Sequence, residues 1–339
     1  MLGWGMDIAV DLGTSSVLIY VKGKGVVLRE PSVVAIEKDS RRLLAIGEEA
    51  RRMLGRTPGN IVAVRPLRDG VIADYDVTET MLRHFLAKVC GKRALMRPRV
   101  MVCVPSGVTS VERRAVVEAC LQAGARKTYL IEEPLAAALG AGLDIVKPSG
   151  SMVVDIGGGT TDIAILSMGD VVISDSLRVG GDKFDEAIAA YVKRVHKVMI
   201  GERSAEELKI QIGSVDPAGR EASMDVRGRD LVCGLPRTIA MSAAACREAM
   251  AEPTAAVLHA LKSVLEQCPP ELAADILDRG LVMTGGGSLL DGLDKLLHAE
   301  LGIPVRLAED PITCVAVGAG LALDCAVSQP GDATIRRVM

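Results

Sequence analysis

Asp155-Ile156-Gly157-Gly158-Gly159-Thr160-Thr161-Asp162 is a glycine turn led by an aspartate, set between two apolar runs, Met152-Val153-Val154 and Ile163-Ala164-Ile165-Leu166. A further turn, Met168-Gly169-Asp170, leads into a third run, Val171-Val172-Ile173. The same order appears near the start of the chain. Ile8-Ala9-Val10 precedes Asp11-Leu12-Gly13-Thr14, and Val17-Leu18-Ile19-Tyr20 follows it. Lys22-Gly23-Lys24-Gly25 then turns the chain into Val26-Val27-Leu28. A recurring strand–turn–strand–turn–strand unit implies two related domains. Two such turns facing each other across a cleft can hold a nucleotide's phosphates from both sides, which would couple the nucleotide to the angle between the domains.

The bulk numbers agree with two α/β domains. The 339 residues suffice for two substantial cores. With 49% hydrophobic but only 2% aromatic residues, those cores must be aliphatic. A net charge of −3 argues against nucleic acid as a partner. The longest apolar runs, near Pro134–Leu143 and Val315–Leu323, fall short of the roughly 20 residues that span a bilayer. No signal peptide is visible, so a cytoplasmic location is expected. None of the eight cysteines has CxxC spacing and most sit in apolar runs, so they read as buried thiols. The four histidines are scattered, and no zinc site is expected.

Along the chain, residues 32–72 read as a strand-rich insertion. A helix is expected over about 77–90, with Val77, Met81, Leu82, Phe85, Leu86 and Val89 on one face and Asp76 with Glu79 as a capping box. Val100–Val104 reads as a buried parallel strand, and Thr109 with Glu112 as a second capping box. Tyr129-Leu130-Ile131 leads through Glu132-Glu133-Pro134 into a helix of small residues suited to a close crossing. After the second set of hairpins come a helix from Lys183 to about Met199 and a second insertion over 201–245. The insertion contains a helix at Glu202–Ile212 and strands at Met224–Val232 and Pro236–Ile239. A helix at Glu248–Gln267, a strand at Leu281-Val282-Met283 and an amphipathic helix at Leu289–Leu301 follow. Val305–Leu307 and a glycine-rich helix near Val315–Ala326 close the chain.

Each motif has its chemistry. Backbone N–H groups of a tight glycine turn converge on anions, and glycine permits close approach. The hydroxyls of Thr14, Ser15 and Ser16 beside Gly13 add donors. Asp11 and Asp155 would repel phosphate, so their natural role is to orient a hydrated Mg²⁺ that bridges phosphate oxygens. A third loop, Thr284-Gly285-Gly286-Gly287-Ser288, lies between a strand and a helix, a ligand-binding place in α/β folds. Glu133, before a proline at a strand end, can position or deprotonate water for attack on a γ-phosphate. Its neighbour Glu132 is an equal contender on sequence alone.

Together these residues resemble the actin-like ATPase superfamily: two ribonuclease-H-like α/β domains around a nucleotide cleft, each with a small insertion. The five characteristic segments occur in order, at Asp11–Ser16, from Glu133-Pro134, at Asp155–Asp162, at Thr284–Ser288 and near Val315–Leu323. Within the superfamily the chain closely resembles the bacterial MreB/Mbl cytoskeletal proteins over nearly its whole length. Specific stretches are Glu30-Pro31-Ser32-Val33-Val34-Ala35, Gly55-Arg56-Thr57-Pro58-Gly59-Asn60, the run from Arg65 to Asp74, Gly180-Gly181-Asp182-Lys183-Phe184-Asp185, and Arg227-Gly228-Arg229-Asp230. The Val21-Lys22-Gly23-Lys24-Gly25 run leans toward the Mbl branch. The resemblance implies subdomains IA (1–32, 73–147 and 313–339), IB (33–72), IIA (148–181 and 246–312) and IIB (182–245). It implies ATP and Mg²⁺ as ligands and Glu133 as the hydrolytic residue. It assigns phosphate contacts to Gly157, Gly158, Gly159 and Thr160, with Gly181 beside them, an adenosine loop to Gly285, Gly286, Gly287 and Ser288, and the nucleoside border to Glu206 and Lys209. Without the family, Glu206 and Lys209, on one helical face at i, i+3, would read as a surface salt bridge. One departure is Val317-Gly318-Ala319-Gly320-Leu321, where relatives often carry a charge.

The resemblance further implies a homopolymer of paired protofilaments on the inner face of the cytoplasmic membrane, where it guides the cell-wall elongation machinery and maintains rod shape. For contact with an anionic membrane surface the N-terminus offers only Leu2, Trp4 and Met6 among glycines, too little for a helix; the loop 92–99 is better placed, its tip Leu95-Met96 flanked by Lys92, Arg93, Arg97 and Arg99. Alternatives on the same fold are a small-molecule kinase, for which no substrate base stands out, a DnaK-type chaperone, which would need a further domain, and an FtsA-like protein, whose amphipathic tail helix is not evident in Gln329–Met339.

Overall fold

A computed structural model describes residues 6–91, 97–328 and 334–335. The chain opens with three strands, β1 (Asp7–Leu12), β2 (Ser16–Val21) and β3 (Gly25–Pro31). The first insertion holds β4 (Val34–Glu37), β5 (Leu43–Ile46), the short helix α1 (Glu48–Arg51), β6 (Ile61–Val64), and a ribbon of β7 (Leu67–Arg68) and β8 (Val71–Ile72). Then follow α2 (Tyr75–Cys90), β9 (Arg99–Val104), α3 (Ser110–Gln122), β10 (Lys127–Glu132) and α4 (Glu133–Gly140). The second half runs β11 (Ser151–Ile156), β12 (Thr161–Ser167), β13 (Asp170–Leu177), α5 (Gly181–His196), β14 (Val198–Met199), α6 (Glu202–Gln211), β15 (Ser223–Asp230) and β16 (Pro236–Ser242). It ends with α7 (Ala243–Glu266), α8 (Pro270–Arg279), β17 (Leu281–Thr284), a 3-10 turn Gly286–Leu289, α9 (Leu293–Leu301), β18 (Val305–Leu307), α10 (Cys314–Ser328) and β19 (Thr334–Ile335).

The repeat read from the glycine turns is a repeat of topology. The first large sheet has the order β19-β10-β9-β1-β2-β3 and the second β13-β12-β11-β17-β18. In each, three antiparallel hairpin strands are extended by parallel strands on the side of the first. β11 is buried at all six positions, as a continuous apolar run demands. Two three-stranded sheets, β5-β4-β6 and β14-β15-β16, stand apart from the large ones.

Each large sheet has its own aliphatic core. A third core lies between the sheets, where Ala9, Met101 and Ile131 of the first meet Val153, Ala164 and Leu166 of the second around α4 and α10. The small residues of these helices permit that crossing. A Cβ on Gly140 would stand 1.8 Å from the Cys314 carbonyl oxygen, and one on Gly318 would stand 1.8 Å from that of Ala136. Gly320 lies against the Tyr20 ring. The Val317–Leu321 run is therefore shaped by close contacts, of Gly318 with backbone and of Gly320 with a ring.

Several local expectations need correction. The cap of α2 is Asp74, whose side chain accepts the Val77 N–H, while Glu79 pairs with Arg83 one turn on. The helix expected over Leu289–Leu301 begins only at Leu293, because Gly292 has a left-handed φ of 77°. Helices α1 and α8 have no counterpart in the sequence reading. The Thr109–Glu112 capping box is present, with Glu112 N–H donating to Thr109 and Thr109 N–H to Glu112. Trp4, Leu95 and Met96, expected to face the membrane, lie outside the described residues. Of the four cations flanking the loop tip, Arg99 is committed to Asp7 through a two-pronged ion pair of 2.6 and 2.7 Å.

Candidate functional site

Because both aspartate-led turns sit at the same end of equivalent strands, the two sheets bring them face to face. The first turn closes through Gly13 N–H to the Ser16 carbonyl at 3.1 Å, and Ser32 donates its hydroxyl to the Gly13 carbonyl at 2.6 Å. The second closes through Gly157 N–H to the Thr160 carbonyl at 2.9 Å. The start of α5 is pinned to it, with Gly181 and Asp182 N–H groups donating to the Gly157 and Gly158 carbonyls. Between the turns there is no room for side chains. A Cβ on Gly158 would lie 2.0 Å from Ser15 Oγ, and one on Gly159 would lie 2.5 Å from Thr14 Oγ1. Two further bonds join the halves of the cleft: Ser15 Oγ donates to Asp182 at 3.1 Å, and Ser106 N–H donates to Asp162 at 2.9 Å.

The turns floor a cavity of about 670 Å³, within the usual size for a ligand site. It is lined by Asp11, Gly13, Thr14, Ser15 and Ser16 from the first half, and by Asp155, Gly157, Gly158, Gly159, Thr160 and Gly181 from the second. Gly285, Gly286 and Gly287 of the third loop also line it. Gly285 has a φ of 80° and packs so closely on the end of β11 that a Cβ would meet the Ile156 carbonyl at 2.3 Å. Ser288 does not line the cavity; its hydroxyl is buried and donates to the Gly285 carbonyl at 2.6 Å, holding the loop from beneath.

Four carboxyls gather at the seam. Burial, reinforced by Asp155, pushes Asp11 up to about 8. Burial pushes Asp155 to about 7, although the Thr284 hydroxyl donates to it at 2.7 Å. Burial likewise lifts Asp162 to about 6, against the Ser106 hydrogen bond. Glu133 is driven well above the carboxylate range, first by burial and then by Asp162, Asp11 and Asp155. One oxygen of Asp162 is buried with no hydrogen-bond partner. Acids held this way fit a cation. Among the described residues no three acidic, histidine or cysteine side chains are arranged to hold a metal directly. The donor set thus suits a hard ion that keeps water and takes ligand oxygens.

Glu132 and Glu133 differ in where they lie. Glu132 points to α3, where Arg113 pairs with it at 2.9 Å, and Glu133 lines the cavity. Glu206 and Lys209 both line the cavity but do not pair with each other. Lys209 Nζ donates to the Gly181 carbonyl at 2.8 Å and pairs with Asp185 at 2.9 Å, and Glu206 faces Arg51 at 3.6 Å. Sequence reading missed Asp182, Asp185, Arg51, Arg65 and Gly70 as cavity residues. Gly70 donates its N–H to Thr14 Oγ1 at 3.0 Å. The hints in the sequence were the Gly180-Gly181-Asp182 start of a helix and the run from Arg65 to Asp74.

The comparisons with known proteins agree with this geometry. The chain is 57% identical over 318 residues to the cell shape-determining protein Mbl of Bacillus subtilis (strain 168), covering 94% of this chain and 96% of that protein. It is 54% identical over 332 residues to the cell shape-determining protein MreB of Escherichia coli (strain K12), covering 96% and 95%. Its backbone matches the crystal structure of MreB 5 of Spiroplasma citri bound to AMPPNP with a TM-score of 0.91 at 38% identity, over 96% of this chain and 97% of that one. The fold is therefore the actin-like ATPase fold. The family model described as MreB/Mbl protein matches residues 5–329, and the chain belongs to the MreB/Mbl family.

Proposed function

We propose that this chain is an ATP-dependent, filament-forming cytoskeletal protein that lies on the inner face of the cytoplasmic membrane and maintains rod shape by organising cell-wall synthesis. The observation that carries the reading is the pair of glycine turns meeting across one cavity, with Glu133 at their seam. A relative of 38% identity is described with AMPPNP bound, and relatives above 50% identity are named for cell shape. The four-part division into 1–32 with 73–147 and 313–339, 33–72, 148–181 with 246–312, and 182–245 belongs to this proposal.

In this reading the N–H groups of Gly13–Ser16 and Gly157–Thr160 take the phosphates, and the loop Gly285–Gly287 with Glu206 and Lys209 borders the nucleoside. Asp11 and Asp155 would hold Mg²⁺ through water; when bound, the ion supplies charge neutralisation of the phosphate oxygens. Glu133 accepts the proton of the water that attacks the γ-phosphate. Burial, with Asp162, Asp11 and Asp155 nearby, raises its proton affinity and so favours the proton-accepting step. Because the phosphates touch both turns, ATP fixes the angle between the two sheets and so the subunit shape that stacks. The partners are further copies of the chain in paired protofilaments, an anionic membrane surface and the elongation machinery; nucleic acid is not among them.

Electron microscopy of the purified protein on anionic liposomes, with ATP and Mg²⁺ and beside a nucleotide-free control, tests the proposal. ATP-dependent filaments lying on lipid are expected. Folded monomers that bind ATP and never assemble would overturn it and point to a kinase.

A further inference from the structure

The turn Lys22-Gly23-Lys24-Gly25 between β2 and β3 takes no part in the nucleotide cavity. Gly23 and Gly25 reverse the chain there with φ of 81° and 79°, and a Cβ on either would meet nothing within 4 Å. The strand that follows, β3, is the last of the first sheet, so among the described residues its outer edge carries no strand. A second cavity, of about 460 Å³, is lined by the turn and β3 on one side and by the last turn of α2 on the other. Its walls hold three cations, Lys24, Arg29 and Lys88, against one carboxylate, Glu30. Glu30 is already committed. One of its oxygens pairs with Lys88 at 2.7 Å and the other accepts the Glu48 N–H at 3.1 Å. Lys24 and Arg29 have no partner among the described residues, so the cavity carries two unanswered positive charges. Beside them Val27, 44% exposed, and Val89 supply an apolar wall.

We propose that this groove binds the phosphodiester headgroup of an anionic lipid. The proposal rests on the membrane reading above and names the ligand class behind it. Lys24 and the planar fork of Arg29 take the phosphate oxygens. Val27 and Val89 cover the glycerol and the first methylenes, which a free phosphate lacks. Lys88 stays with Glu30 and offsets the negative end of α2, which would otherwise repel an anion. The place in the chain favours a lipid. Helix α2 ends at Cys90, and the loop 92–99 assigned above to the membrane follows it directly. A headgroup held at the helix end would keep that loop at the bilayer. Each cation near an anionic surface strengthens attachment by roughly five-fold, so Lys24 alone gives a measurable share.

The test is sedimentation of the full chain with phosphatidylcholine vesicles containing phosphatidylglycerol. Lys24→Gln should weaken binding by roughly five-fold, and Lys24→Arg, which keeps the charge, should retain it. Val27→Ser should also weaken it, by removing apolar cover at an exposed position. Lys22 shares the turn and does not line the cavity, so Lys22→Gln is the control. Equal losses for Lys22→Gln and Lys24→Gln mean general attraction to a charged surface and overturn the site, as does a Lys24→Gln protein that binds like the parent. Soluble short-chain phosphatidylglycerol should compete with the vesicles, and inorganic phosphate at the same concentration should not. Equal competition by inorganic phosphate overturns the lipid assignment. These failures leave the membrane reading standing, whereas a parent protein that ignores the vesicles altogether overturns both. Arg29 stays unchanged throughout because it also lines the nucleotide cavity.

Discussion

At the scale of single residues the cleft is a concentration of buried acids. Replacing Glu133 by Gln removes the proposed base while keeping its shape. Phosphate release should fall by about 10²–10⁴-fold with nucleotide affinity retained; unimpaired hydrolysis would exclude Glu133 from the chemistry. The same acids predict a pH dependence of stability. Asp11 and Asp155 stand at about 8 and about 7 in the folded chain against an ordinary 3.8, so the folded state holds these protons more tightly than the unfolded one. Their contribution is complete below the ordinary value and is lost as pH rises through the folded values. Asp230, lowered to about 2 by the Val232 and Cys233 N–H groups, has already made its opposite contribution above that region. In nucleotide-free, Mg²⁺-free buffer the melting temperature should therefore fall between about pH 5 and about pH 8.5, and Asp11→Asn should flatten the fall. Residue identities carried much of this. The aspartates and glycines of the turns were legible from their repetition. Which of Glu132 and Glu133 lines the cavity was not, because Glu132 is held by Arg113 of another helix.

At the scale of elements, legibility followed length and period. Helix α2 and strand β11 declare themselves because burial on one face or on both leaves a pattern in the residues. Helix α1, with four residues, is too short to show a period, and α8 opens on Pro269-Pro270, which reads as a loop although proline fits a first helical turn. The small residues of α4 and α10 announced a close crossing but not its partners, since Gly140 and Gly318 meet backbone rather than side chains. A methyl at Gly318 has no such space, and Gly318→Ala should destabilise the chain by about 1–3 kcal/mol in urea unfolding. Gly59 is the contrast: a methyl there would have nothing within 4 Å, and its φ is not positive. Gly59→Ala should be neutral or stabilising by up to about 1 kcal/mol. Equal effects at the two sites would contradict the crossing geometry.

At the scale of the whole molecule, the sequence showed the duplication and the cleft, but not the contacts that join its halves. Ser15 with Asp182, Arg65 with Glu202 and Arg51 with Glu206 each connect residues more than a hundred positions apart, and no local pattern marks them. The proposed membrane attachment belongs to this scale as well. Leu95→Ser with Met96→Ser should lower sedimentation with anionic liposomes while leaving ATP binding intact, and unaltered sedimentation would rule the loop out. Repetition along a filament would turn one weak anchor into firm attachment. The abutment of the two turns has a consequence for descent. A side chain at Gly158 would strike Ser15 and one at Gly159 would strike Thr14, so neither copy of the duplicated unit is free to mutate at its turn alone. The two turns are thus bound into a single heritable pair: losing the facing hydroxyl alone would still leave Ser15 Cβ 2.7 Å from a new Cβ at Gly158 and Thr14 Cβ 3.0 Å from one at Gly159, so a replacement in one turn needs the other to shift with it.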